Sequence, residues 1–243
     1  MCNQSKFETK KLTIVIPTNR PYFLRRLIEF IVKNKDYEDF CFIVADSGEN
    51  SDYDLFNGGI FRYKKYPSDC NPYYKMKDIL RCVSTPYMMF IGDDDFYVKD
   101  TMLKLLSYDA DVMCGRTLSF LKKDENIVLH LNKKYHSSFI SIVKTEKMQD
   151  AFNFVNHKNT NVENETLVKA YLNQFDSVML NDIYLLREKH DLQTSNIDLP
   201  SKQNIIGDIC ENIKSNFDIE MQLDFYKIKG KEREDIIKIL NGI

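Results

Sequence analysis

Three short apolar runs, each closed by a polar turn, limit what this chain can fold into more than any other feature. Leu12 to Ile16 is rich in β-branched residues and ends at Pro17. Phe40 to Ala45 ends in Asp46-Ser47-Gly48, and Tyr87 to Ile91 ends in Gly92-Asp93-Asp94-Asp95. Apolar runs without alternation are the pattern of strands covered on both faces. Between them lie segments of helical spacing: Phe23, Leu24, Leu27, Ile28 and Ile31 in one, Tyr74 to Val83 in another. Asn19-Arg20-Pro21 offers a helix start with proline in the first turn. A weaker strand is expected from Ile60 to Tyr66. Strands alternating with helices predict an α/β fold with a doubly wound, parallel sheet. Ligands of such sheets bind beyond the carboxyl ends of the strands, where all three polar turns fall.

The second half reads differently. Asp111 to Phe120 and Asn126 to Leu131 predict a hairpin, Phe139 to Val143 a strand, and Thr166 to Phe175 and Leu180 to Lys189 helices. Residues 156–164, rich in asparagine, predict a mobile loop. The tail from Asp208 onward predicts short amphipathic helices, which dock on their own domain, a partner subunit or a membrane face.

Composition removes several classes. A net charge of −2 over 243 residues argues against a surface devoted to nucleic acid. The six cysteines are widely spaced with no C-x-x-C pair, and several sit in apolar runs, as expected of reduced thiols in a cytoplasmic protein. The polar N-terminus carries no secretory signal, and the apolar stretches are too short to span a bilayer, so membrane contact would be peripheral. The four histidines show no metal-ligand spacing; His190 is read as a helix-end partner in preference to a ligand.

Asp93-Asp94-Asp95 carries the chemistry. Carboxylates at i and i+2 of an extended turn project to one side, so Asp93 and Asp95 could share a hard cation, Mn2+ or Mg2+. Such a cation neutralises the charge growing on a departing diphosphate. The plainer alternative is a solvated acidic turn, but three adjacent carboxylates repel one another unless something compensates.

Thr13-Ile14-Val15-Ile16-Pro17-Thr18, Ala45-Asp46-Ser47-Gly48 and Phe90-Ile91-Gly92-Asp93-Asp94-Asp95 together resemble the family 2 glycosyltransferases of GT-A fold, in their bacterial and viral branch with a D-x-D-type motif. The resemblance covers about the first 120 residues. It implies a GT-A-like, Rossmann-like, mostly parallel sheet flanked by helices, with a mixed acceptor-side half and C-terminal helices. Residues 1–120 would form the nucleotide-sugar-binding half, and residues 121–243 the acceptor half of the same continuous domain.

The resemblance also implies roles. Pro17, Thr18 and Arg20 fall where such enzymes cradle the base and ribose, with Ser47 beside them. Asp46 falls where a carboxylate accepts the uracil imide proton, or else closes a strand-end turn. Lys75 or Lys77 falls near the nucleotide or diphosphate, or else both face solvent. Asp94 and Asp95 would hold ribose and metal with Asp93 in support. The family's base is an acidic residue of an E-D pair at a helix start. This chain has no such pair; the nearest matches are Asp182, in Leu180-Asn181-Asp182, and Asp176 before it, and Asp182 is equally a first-turn carboxylate. The implied reaction moves a sugar, inverting, from a nucleotide-diphosphate donor (a UDP-sugar favoured) to a glycan or lipid-linked acceptor, as in polysaccharide biosynthesis. A nucleotidyltransferase is the alternative, but Pro17-Thr18-Asn19-Arg20-Pro21 lacks the glycines of a phosphate loop. A non-catalytic nucleotide-sugar-binding module is another.

Overall fold

The computed structural model describes residues 10–49, 59–123, 126–132, 140–156, 158–190 and 218–242. They fall into two compact units that interleave along the chain: Met1–Asp94, Met102–Cys114 and Tyr135–Leu180 in the first, and Asp95–Thr101, Gly115–Lys134 and Asn181–Ile243 in the second.

The first unit is built on β1 (Leu12–Thr18), β2 (Cys41–Asp46), β3 (Phe61–Lys65) and β4 (Tyr87–Phe90), all parallel, in the order β3-β2-β1-β4. β8 (Ile142–Lys144) adds antiparallel beside β4. β2 and β4 are buried at every residue, which is why they read as unbroken apolar runs. Alternation sends Val15, Ile43, Ala45, Met88 and Phe90 into one core with the buried residues of α2 (Pro72–Ile79), α4 (Thr145–Asn153) and α5 (Asn161–Leu172). There Phe152 meets both Phe90 and Tyr73. α1 (Pro21–Lys33) buries the stripe Leu24, Leu27, Ile28 and Ile31, and Pro21 occupies its first turn as expected. α2 starts after Asn71, whose side chain accepts from Tyr73 N and Tyr74 N.

In the asparagine-rich stretch residues 156 and 158–160 form the expected loop, whereas residues 161–164 are helical. Thr160 and Glu163 form a capping box that opens α5 at Asn161. Asn164 is fully buried, accepts from Asn156 N and donates to Asn156 O, both at 3.1 Å. His157 itself lies outside the described residues, as does His136.

The second unit contains two antiparallel strand pairs. β6 (Val112–Lys123), which starts in the first unit, forms the expected hairpin with β7 (Asn126–Leu131). β5 (Asp95–Tyr97) pairs with β9 (Ser177–Glu188). The predicted helix from Leu180 to Lys189 is therefore a strand: Leu185, Leu186 and Arg187 are taken up by Tyr97, Phe96 and Asp95 in the ladder. Partners distant in sequence outweigh the helix preference of Leu, Arg, Glu and Lys. α6 (Ile219–Phe225) covers the outer edge of β7: Gln222 accepts from Leu129 N and donates to Ile127 O, both at 2.7 Å, and Tyr226 donates to Leu129 O. These bonds occupy strand groups that would otherwise template aggregation. α7 (Gly230–Leu240) follows, as the amphipathic tail predicted. Among the described residues no helix is long and apolar enough to cross a membrane.

Gly115 has no room for a side chain. A Cβ there would stand 2.5 Å from the Asp182 carbonyl oxygen and 3.2 Å from a Tyr184 ring carbon. Backbone cannot yield as a flexible side chain does, so Gly115→Ala is expected to cost about 1–3 kcal/mol. A urea-unfolding midpoint equal to wild type would show that β9 shifts at no cost.

Candidate functional site

Parallel pairing sets Thr18 opposite Asp46 at the carboxyl ends of β1 and β2. β1 also pairs with β4 on its other side, through Val15 and Phe90, and Ile91 N donates to Val15 O. The strand order reverses between β1 and β4, so the crevice between their ends is the topological switch point where open sheets bind ligands. Thr18, Arg20, Asp93 and Asp94 meet there.

Thr18 Oγ1 donates to Asp93 Oδ2 at 2.5 Å and accepts from Arg20 N at 3.1 Å. Arg20 Nε donates to Asp93 Oδ2 at 3.3 Å, while its Nη2 bonds Asp93 Oδ1 and lies 3.1 Å from Asp94 Oδ2. The back of the guanidinium stacks on Phe23, 4.6 Å from the ring centre. Asp93 and Asp94 are both buried. Burial pushes the Asp93 carboxyl above its ordinary value despite Arg20 and Thr18, and the charge of Asp94 adds to the rise. Burial by itself would lower the pKa of Arg20, but Asp93 and Asp94 hold it above its usual value.

A second layer braces this clamp. Ser47 N donates to Thr18 O at 2.9 Å. Lys75, only 3% exposed, donates to Thr18 O at 2.7 Å and to Ser47 Oγ at 2.9 Å. Asp46 Oδ1 accepts from Gly48 N at 2.6 Å, and its Oδ2 accepts from Tyr63 at 2.6 Å and Lys65 at 3.2 Å. Lys65 also bonds Gly48 O. Gly48 is itself tight, since a Cβ would stand 3.1 Å from Asn19 O.

The structure thus brings together Thr18, Arg20, Asp46, Ser47, Lys75, Asp93 and Asp94, with Pro17 preceding Thr18 in β1. Lys77 lies elsewhere: its amine reaches Val155 O at 3.2 Å and Asn153 O at 3.5 Å, closing the end of α4. Asp95 opens β5 in the second unit, opposite Arg187, whose Nε lies 3.4 Å from Asp95 Oδ1. Asp182 sits within strand β9, not at a helix start, and the following amide, Ile183 N, donates to Glu232. Asp176 precedes β9 in the first unit, where its carbonyl accepts from Val112 N at 3.3 Å. Tyr63, Lys65 and Arg187 were not singled out in the sequence, and no motif marks them; each is identified by its carboxylate partner alone.

Among the described residues no group of three or more His, Cys, Asp and Glu side chains is arranged to hold a metal. The chemistry of the acidic turn nevertheless suits a hard cation. Its donors are carboxylate oxygens, the type such ions take, and in this structure each lies against an arginine.

The topology and these strand-end loops define a GT-A-like mixed α/β fold. In solved structures the chain is similar to S. aureus TarS 1-349, with a TM-score of 0.59 and 14% identity over 96% of this chain and 79% of that one. The same protein in complex with UDP-GlcNAc matches at TM-score 0.57 and 14% identity, covering 95% of this chain and 79% of that one. Its complex with UDP matches at 0.55 and 13%, covering 87% and 68%. At such identity the likeness establishes the fold. No protein-family model and no curated protein sequence matches the chain.

Lys75 gives a pH signature. Burial pushes its amine from 10.5 down to about 8, against the opposing pull of Asp46, Cys70 and Asp93, with Lys65 adding to the fall. Below about 8 the buried amine is charged in both states and the folded state bears the desolvation cost. Between about 8 and 10.5 the unfolded chain binds the extra proton, so stability rises with pH. Wild type is therefore expected to gain stability relative to Lys75→Met as pH climbs through that window. Parallel urea-unfolding curves for the two proteins from pH 7 to 10 would contradict it.

Proposed function

We propose that the protein is a glycosyltransferase that takes a sugar from a nucleotide-diphosphate donor, a UDP-sugar favoured, and passes it to a glycan or lipid-linked acceptor. The observation that carries this reading is the clamp of Thr18 and Arg20 on Asp93 at the switch point, with Asp46 and Ser47 beside it. It is supported by the likeness to a protein whose structures hold UDP and UDP-GlcNAc.

In this reading Pro17, Thr18, Asp46 and Ser47 wall the base and ribose. Asp46, oriented by Gly48 N, Tyr63 and Lys65, is the proposed acceptor of an imide N–H. Arg20 supplies positive charge near the diphosphate, and Lys75 holds together the loops of Thr18 and Ser47. Asp93 and Asp95 are the proposed ligands of Mn2+ or Mg2+, with Asp94 toward the ribose, and the cation would compete with Arg20 for Asp93. When bound, it supplies charge neutralisation for the leaving diphosphate. An acceptor hydroxyl attacks the anomeric carbon; the new C–O bond forms as the bond to the diphosphate breaks. The hydroxyl proton passes to a carboxylate, Asp182 or Asp176, and the configuration inverts. The protein would work in the cytoplasm, with any membrane contact peripheral.

The test is a thermal-shift panel of nucleotides and nucleotide-sugars with and without manganese, followed by donor-turnover assays. UDP at a hundred times its Kd should stabilise the fold by about 2.7 kcal/mol. Asp95→Asn, which keeps the side-chain volume and an acceptor oxygen beside Arg187, should abolish transfer and the manganese dependence, with the shifts read against that variant's own apo melting temperature. Indifference to every nucleotide would refute the reading, and UDP binding without any turnover would make the protein a binding module.

A further inference from the structure

The amino ends of β1 and β4 hold a cavity of about 790 Å3, within the first unit and at the opposite edge of the sheet from the clamp. β1 is seven residues long, so the cavity lies about 20 Å from the end that carries Thr18. Its size falls within the roughly 300–1,000 Å3 of small-molecule sites. Lys11 enters from before β1, Tyr87 from the start of β4, Tyr108 and Asp109 from the turn after α3 (Lys99–Leu105), and Lys144, Glu146 and Gln149 from β8 and α4.

The lining selects a class of ligand. Lys11 and Lys144 are balanced by Asp109 and Glu146, so a phosphate or polyanion would gain no net attraction. Asp109 is an exposed acceptor at the rim. Asp109 Oδ1 accepts from the Tyr87 hydroxyl at 3.1 Å and lies 3.4 Å from Lys144 Nζ, which also reaches Asp111 at 3.1 Å. The Tyr87 hydroxyl, then Lys144, keep the Asp109 carboxyl below its ordinary value, so it stays an ionised acceptor at neutral pH. Gln149 places its NH2 on Leu80 O at 3.2 Å, which leaves its amide oxygen to accept. Tyr108, 39% exposed, offers a flat apolar face. Ionised and amide acceptors beside an aromatic face, with no net charge, suit a molecule with many hydroxyls and an apolar C–H face.

We propose that this groove is a second saccharide site, holding a neutral stretch of the acceptor glycan away from the point of transfer. The ligand class rests on the lining alone, whereas its role as part of the acceptor rests on the transferase reading above.

The experiment is saturation-transfer NMR on the full chain with cello-, malto- and chito-tetraose, and with inorganic tripolyphosphate as the charged probe. At least one tetrasaccharide should bind wild type. Tyr108→Ala and Asp109→Asn, both at exposed side chains, should weaken it about tenfold while melting as wild type and keeping the wild-type response to UDP and manganese. The proposal fails if no tetrasaccharide binds, if binding ignores both substitutions, or if tripolyphosphate binds in place of the sugars. Loss of the UDP response in wild type with sugar binding intact would overturn the transferase reading and leave the saccharide site standing.

Discussion

The first unit depends on one buried ion pair, Arg20 with Asp93. A carboxylate as buried as this one is costly unless it is paired and hydrogen-bonded, and removing one partner of such a pair typically costs about 3–5 kcal/mol. The guanidinium engages both oxygens, and Thr18 adds a neutral donor. Because Arg20 follows β1 and Asp93 follows β4, the pair fixes the two loops against each other where the sheet's own hydrogen bonds stop. Arginine suits the position, since its planar fork meets two oxygens at once and its face stacks on Phe23.

Lys75 works on the same loops by different means. It comes from α2 and its amine donates to a backbone carbonyl and a hydroxyl, so it joins the ends of β1 and β2 through neutral acceptors. A charged amine in that place is expensive, which is why its pKa falls, whereas a neutral amine still donates. Asp46 is held from the far side by Tyr63 and Lys65 of β3. The polar rim is therefore cross-linked from both sides by hydrogen bonds of α2 and β3.

How much of this was legible follows from which interactions are local. The parallel core was readable because strands covered on both faces must be apolar throughout, and because their polar ends must then be loops on one edge. Thr18, Arg20, Asp46 and Asp93 were readable as site candidates for that reason. Leu180 to Lys189 was misread as helix because its residues favour helix in isolation, whereas Arg187, Leu186 and Leu185 are claimed by a strand some ninety positions earlier. In the asparagine-rich stretch the loop extends to Thr160, but residues 161–164 belong to α5, and the Thr160-x-x-Glu163 capping box is the local signal that marks this boundary. Tyr63, Lys65, Arg187 and the closeness of Gly115 to β9 are tertiary facts with no sequence signature.

Three consecutive buried aspartates would be untenable if they drew on one source of compensation. They do not: Asp93 and Asp94 share Arg20, and Asp95 meets Arg187 through a different strand pairing. This turn leads from β4 into β5, and the charges are distributed between separate partners. Burial still leaves Asp93 with a raised pKa, so compensation is incomplete at rest. A carboxylate held in that state is stabilised by whatever brings further positive charge to the end of β4.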